Sequence, residues 1–315
     1  DPVGRVARAH RARDAEVFPM RRSQLFTLAA VAAAALLPGA VQAQNPARVA
    51  DVIYTKHDGV ALTMDIFKPA KPNGIGVLWM VSGGWVSNHN SINPAMARYF
   101  TDRGITLFQV VHGTQPRFTL PEIVKDIHRA VRFVRANASE YGVDPDRLGI
   151  SGGSAGGHLS LMMGAFGGPG KPDAADPVER QSSRIQAVAC FFPPTDFLNY
   201  GKESQSAYSV PALKGYWSAF GVTDRTTPEQ LVSLGKSTSP IYGDLAALPP
   251  TFIIHGDADL LVPIQQAQRF VDQAKAKGAN IQLDVRPGKG HGWANIEKDA
   301  TLFVDWFEKH LPKKP

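Results

Sequence analysis

Residues 148–160 read Leu-Gly-Ile-Ser-Gly-Gly-Ser-Ala-Gly-Gly-His-Leu-Ser, and the pattern G-x-S-x-G fits this stretch twice. One match centres on Ser151 and the other on Ser154. A nucleophilic serine in such a motif sits on a sharp turn between a strand and a helix. Glycines two residues to either side let the chain bend without Cβ clashes. With Ser151 on the turn, the strand shrinks to 148–150 and the helix opens on Gly-Gly-Ser-Ala-Gly-Gly. Each glycine inside a helix costs about 1 kcal/mol relative to alanine. With Ser154 on the turn, 148–151 forms the strand and Gly152-Gly153 enters the bend. His158-Leu159-Ser160-Leu161-Met162-Met163 then continues as a buried helix. Ser154 is the expected nucleophile.

The surrounding chain alternates two kinds of segment. Runs rich in strand-forming residues lie at 62–67, 76–81, 105–111, 148–151, 185–192, 251–255 and 281–285. Helix-period segments lie between several of them, at 95–102, 120–138, 264–277 and 295–309. The second is the most regular, with Ile123, Ile127, Ala130, Val131, Val134 and Ala138 recurring at steps of three and four. Pro263 suits a first helical turn and Gly278 a helix stop. Such alternation predicts an α/β fold, a mostly parallel central sheet with helices on both faces. Asp58-Gly59 signals an antiparallel hairpin at one edge. Between 197 and 248 no strand is evident, and Tyr200, Tyr208, Tyr216, Trp217 and Phe220 are scattered through the segment. Long excursions of this kind often form a small cap over a pocket.

A serine hydroxyl needs a base within hydrogen-bond reach, and the base needs an orienting acid. In this architecture both follow the serine, acid first, in loops at the carboxyl ends of strands. The run 251–255 leads into Gly256-Asp257-Ala258-Asp259-Leu260-Leu261-Val262-Pro263. Either aspartate is a candidate. Asp259, directly before the apolar residues and the next helix, is the better placed, while Asp257 suits an ordinary turn. The run 281–285 leads into a loop where Gly290 and Gly292 flank His291, the expected base. For the developing oxyanion, main-chain donors are expected from Ala155 and from the loop Ser82-Gly83-Gly84-Trp85. Gly83 and Gly84 are the preferred donors there. Trp85 either donates in their place or walls the pocket, and Trp85 and Trp293 are the expected substrate-binding residues. Of the other histidines, His57, His128 and His310 read as surface positions, His158 and His255 as packed, and His89 and His112 as possible pocket lining. No pair has the spacing of a zinc site, so neither metal nor cofactor is expected.

These residues resemble the α/β-hydrolase superfamily, and more closely its esterase/lipase branch of hormone-sensitive-lipase-like and bacterial feruloyl-esterase-like enzymes. The resemblance is carried by Gly152-Gly153-Ser154-Ala155-Gly156-Gly157-His158-Leu159, Ser239-Pro240-Ile241, Pro249-Pro250-Thr251, His255-Gly256-Asp257-Ala258-Asp259 with Val262-Pro263, and the His291 loop. Asp144-Pro145-Asp146-Arg147 before the turn is also similar. The resemblance implies Ser154 as nucleophile, Asp259 as acid and His291 as base, in a carboxylic-ester hydrolase acting on a small-molecule ester. One departure stands out. The family's His-Gly-Gly-Gly is matched here by Val81-Ser82-Gly83-Gly84, so the loop must be supported differently. Short-chain acyl, aryl, feruloyl and acetyl esters all stay open. A peptidase of the prolyl-oligopeptidase type shares the triad but usually carries a large propeller, for which 44–315 has no room. A non-catalytic binding protein on the same scaffold would commonly have lost a triad member.

The first 43 of the 315 residues read differently. Met20 is followed by Arg21-Arg22, an apolar run at 25–37, Pro38-Gly39 and the small-residue pattern Val41-Gln42-Ala43. That is the layout of a secretory signal at 20–43 with cleavage after Ala43, and it predicts a periplasmic or secreted protein. Residues 1–19 read as an upstream extension, leaving 44–315 as the catalytic domain. The leader carries six arginines and three acids, so its removal halves the formal net charge of +6. The basicity is thus no argument for a nucleic-acid partner. The single cysteine, Cys190, cannot form a disulfide within the chain. No second long apolar stretch follows, so no membrane span is expected in the mature chain, and the sequence leaves the oligomeric state unknown.

Overall fold

The computed structural model describes residues 46–313. The expected signal segment 20–43 and the extension 1–19 lie outside the described residues. Eight strands form one sheet: β1 (Ala47–His57), β2 (Val60–Lys68), β3 (Gly74–Met80), β4 (Thr106–Val110), β5 (Val143–Gly153), β6 (Ala187–Phe191), β7 (Thr251–Gly256) and β8 (Ile281–Arg286). Their spatial order is β1-β2-β4-β3-β5-β6-β7-β8. The pairs β1–β2 and β2–β4 are antiparallel, and every pair from β4 to β8 is parallel. Asp58 and Gly59 both take positive φ, 50° and 73°, at the hairpin between β1 and β2. That is the backbone an Asp-Gly hairpin turn requires.

The described residues form six α-helices, α1 (Pro94–Thr101), α2 (Leu120–Ala136), α3 (Ala155–Phe166), α4 (Pro228–Thr238), α5 (Gln265–Ala276) and α6 (Ala300–His310), of which α4 belongs to the 197–248 segment. Met96, Ala97 and Phe100 of α1 share one core with Phe303, Val304 and Phe307 of α6. Ile123, Ile127, Ala130, Val131 and Val134 of α2 share the opposite core with residues of α3 and α5. Strands covered on both sides have no polar face to alternate with, which is why β4, β6 and β7 are buried along their whole length. This is the α/β-hydrolase fold.

Several element boundaries differ from the sequence reading, and β5 runs Val143–Gly153 rather than 148–151. Asn137 leaves the helical geometry and 138–141 continues as a short 3-10 turn closed by Gly142 at φ 68°. The segment 295–309 is a 3-10 turn, Ile296–Asp299, followed by α6, because Asn295 sits at φ 61° and cannot start an α-helix. The segment 197–248 contains no strand. It holds two 3-10 stretches, Ala207–Ser209 and Pro211–Phe220, then α4 and another short 3-10 turn. Among the described residues no helix is long and apolar enough to cross a membrane.

Candidate active site

Ser154 stands between the last residue of β5 and the first of α3, at φ 54° and ψ −119°. Strain of this kind costs about 1–3 kcal/mol and persists only where the surroundings over-determine it. Here two contacts do so. The Ser154 N–H donates to the Phe191 carbonyl at 3.0 Å, and its carbonyl accepts from the His158 N–H at 2.9 Å. Ser151, the other serine of the motif, lies inside β5, fully buried, with its hydroxyl unpartnered. It can reach no substrate.

Three strand ends converge on Ser154. The loop after β8 brings His291 so that the Ser154 hydroxyl lies 2.9 Å from His291 Nε2. His291 Nδ1 lies 2.7 Å from Asp259 Oδ2, in the loop after β7. The other oxygen, Asp259 Oδ1, accepts from the N–H groups of Leu261 and Val262, each at 2.9 Å. His255 Nε2 donates to the Val262 carbonyl at 2.8 Å and lies 3.4 Å from Asp259 Oδ2. Burial pushes the Asp259 carboxyl up, but hydrogen bonds from His255, His291 and the Val262 amide outweigh it and hold the group well below the usual carboxylate range. An ionised acid, an imidazole and a hydroxyl thus stand in line.

Asp257 has a different partner. Its Oδ1 accepts from the Gly288 N–H at 2.6 Å and ties the two loops together. The loops touch at Gly256, where a Cβ would stand 2.2 Å from the Lys289 carbonyl oxygen. Glycine there lets the histidine loop lie against the aspartate loop. Neither the Leu261 and Val262 amides nor the His255 contact was legible beforehand, since each depends on how the turn after β7 folds back.

The loop 82–85, the expected source of oxyanion donors, departs from one expectation. The Gly83 N–H donates to the Val86 carbonyl at 3.0 Å, and the Val86 N–H donates back to Gly83. Gly83 is therefore engaged in a local bridge rather than free to face a substrate. Gly84 and Trp85 follow at φ 56° and 60°, and no main-chain acceptor takes either N–H among the described residues. Gly84, Trp85, Ser154 and Ala155 line one cavity. Ala155 opens α3, so its N–H has no partner within the helix.

That cavity is lined mainly by apolar and aromatic side chains. Its far wall comes from the 197–248 segment, with Phe197, Tyr200, Tyr208, Tyr216, Trp217 and Phe220 all facing it. Trp85 is buried among these rings, edge-on to Phe197, Tyr216 and Phe220. Trp293 does not line the cavity. Its indole packs against Phe191 and Phe192, and its N–H donates to Asp299 at 2.8 Å. Between His291 and Trp293 the chain passes through Gly292 at φ 103°, a backbone reversal for which a sequence motif carries no signal.

The other described histidines lie outside the cavity lining. His158 is fully buried, accepts from the Trp85 indole at 3.3 Å and lies 2.7 Å from the Thr238 carbonyl. His112 is buried against the Gly113 carbonyl, and His128 meets Ser183, so His128 is less exposed than its sequence position suggested. His57 bridges Asp58 and Asp126, and His89 meets Thr63, both away from the cavity. Among the described residues no cluster of three potential ligands could hold a metal ion.

Comparison with known proteins finds esterases among those similar to this chain. The BD-FAE family model matches residues 64–274. The probable carboxylic ester hydrolase LipM of Mycobacterium tuberculosis is 32% identical over 231 residues, covering 71% of this chain and 51% of LipM. The chain thus spans about half the length of the curated relatives it matches. Among solved structures, the thermophilic esterase Est2 of the Planctomycetes species Thermogutta terrifontis superimposes with a TM-score of 0.67 at 25% identity, over 86% of this chain and 95% of Est2. A truncated carbohydrate esterase from gut microbiota shares the fold, with a TM-score of 0.70 at 24% identity over 84% of this chain and all of that one.

Proposed function

The chain belongs to the BD-FAE family, and on that premise we propose that it is a serine carboxylic-ester hydrolase in which Ser154, His291 and Asp259 form the catalytic triad. The observation that carries this reading is His291 itself, with one ring nitrogen 2.9 Å from the Ser154 hydroxyl and the other 2.7 Å from Asp259. His291 Nε2 takes the hydroxyl proton as Ser154 Oγ attacks the ester carbonyl. Asp259 holds the ring and stabilises its charged form. The amides of Gly84, Trp85 and Ala155 receive the oxyanion. His291 then protonates the leaving alcohol, and water, activated the same way, frees the acid from the acyl-enzyme.

The aromatic walls favour a small-molecule ester with an apolar or aromatic acyl or alcohol group. The 197–248 segment acts as the cap over that group. The layout of 20–43 supports export to the periplasm or beyond. The test is turnover of p-nitrophenyl esters of graded acyl length by the wild type and by Ser154→Ala. Hydrolysis by the wild type alone is expected, and equal rates for the two would remove the reading.

A further inference from the structure

Gln115 lies between β4 and α2, outside the triad, and nothing in its sequence context marks it. Its side-chain Nε2 donates to the Gly84 carbonyl at 2.7 Å, and its main-chain N–H donates to the Trp85 carbonyl at 3.2 Å. The peptide unit joining Gly84 to Trp85 is trans and planar, so its C=O and N–H point in opposite directions. Holding the Gly84 oxygen therefore directs the Trp85 N–H away from Gln115. Gly84 and Trp85 both border the cavity that contains Ser154 and Ala155. The neighbouring peptide behaves alike. Its Gly83 oxygen is held by the Val86 N–H at 3.0 Å, which directs the Gly84 N–H the other way.

The other supports of this loop act elsewhere. The Ser87 hydroxyl donates to the Val81 carbonyl, and the Trp85 indole donates to His158. Neither touches the Gly84–Trp85 peptide. That peptide joins two residues with positive φ, and a non-glycine residue there is strained. Rotation of the peptide would relieve Trp85 and withdraw its N–H. Gln115 opposes the rotation. Its own orientation is set from the far side, where the Ser218 hydroxyl in the Pro211–Phe220 stretch donates to Gln115 Oε1.

We infer that Gln115 is a positioning residue that aims the Trp85 amide at the oxyanion and links that aim, through Ser218, to the seating of the cap. This rests on the esterase reading above. It also supplies the support that Val81, in place of the histidine implied by the resemblance, does not.

The test compares wild type, Gln115→Met, Gln115→Glu and Ser218→Ala on p-nitrophenyl acetate, with binding of an alkyl trifluoromethyl ketone and thermal unfolding measured alongside. The ketone reports the oxyanion hole because Ser154 Oγ adds to its carbonyl carbon, leaving an oxyanion in the same place, while the serine proton passes to His291. Loss of one oxyanion donor outright costs about 10²–10³ in kcat. Gln115→Met and Gln115→Glu, which misplace rather than delete the donor, are expected to lower kcat about 10- to 100-fold with KM within about twofold. Ketone affinity should fall by the same factor as kcat/KM. Ser218→Ala keeps the bond to Gly84 and should lose less than either. A merely structural glutamine would lower the unfolding temperature and leave kcat and ketone affinity near wild type; that result overturns the inference, as does a drop in kcat without a matching drop in ketone affinity. A wild type that turns over no ester would instead overturn the esterase reading.

Discussion

The main-chain carbonyl carbon of Gly156 lies 2.7 Å from the point where a Cβ on Gly152 would stand. A Cβ on Gly156 would in turn stand 2.8 Å from the Met80 carbonyl oxygen. The two glycines of the motif are thus the places where β5, α3 and β3 touch through bare backbone. Gly152→Ala and Gly156→Ala should each destabilise the protein by about 1–3 kcal/mol, the usual range for overpacking, and misplace Ser154. Urea denaturation with turnover measured in parallel checks this; a Gly152→Ala protein with wild-type midpoint and rate contradicts it.

The two serines should separate cleanly. Ser154→Ala is expected to lower kcat by about 10⁴-fold or more. Ser151→Ala removes a buried hydroxyl that has no partner, so it should keep full activity and be neutral or slightly stabilising. An organophosphonate should label Ser154, located by peptide mass mapping. Label on Ser151 would reverse the assignment.

The two aspartates should separate as well. Asp259→Asn leaves the imidazole without its ionised partner, and kcat should drop by about 10⁴-fold, the scale of losing a triad carboxylate. Asp257→Asn weakens only the tie to Gly288, and a loss above about tenfold would be unexpected for a single exposed hydrogen bond. Steady-state kinetics on one p-nitrophenyl ester decides both.

Stability should fall as the solution is made acidic. Burial pushes the imidazoles of His112, His128 and His158 down from 6.5 to about 4. Between those values the unfolded chain binds protons that the folded one refuses, so protonation favours unfolding as the pH drops. His57, raised chiefly by its bond to Asp58, adds little to the slope because its contribution is already complete below its ordinary value. Asp259, held low, keeps its contribution until the pH falls beneath the ordinary carboxylate range. The thermal midpoint should therefore decline from pH 6.5 to 4.5. A flat or rising curve would show that these rings are not held neutral.

The proposed export makes a prediction of its own. Processing after Ala43 would leave Gln44 as the first residue of the mature chain. Intact mass and amino-terminal sequencing of protein recovered outside the cytoplasm would read this directly, and an unprocessed chain there would refute the assigned cleavage site.

Local chemistry carries far in this protein, and its limits are equally physical. The cost of glycines inside a helix was enough to prefer Ser154 over Ser151 before any fold was known. Alternating strand and helix periods foretold the parallel sheet, because a strand covered on both faces must be apolar throughout. The order of serine, acid and histidine in loops at the carboxyl ends of β5, β7 and β8 marked Asp259 and His291 as candidates, since those ends lie along one edge of such a sheet. What tertiary structure alone decided is where main-chain groups and loop side chains point. Gly83 reads like Gly84 in the sequence, yet its N–H is taken by Val86. Trp293 lies two residues from His291, yet Gly292 turns it onto Phe191 and Phe192. Gln115 carries no local signal at all, because its importance lies in two hydrogen bonds to residues some thirty positions earlier and one to a hydroxyl about a hundred later. Periodicity encodes which face of an element is buried, but the direction of a peptide plane in a loop is set by whichever distant partner takes its carbonyl, and that partner exists only once the chain has folded.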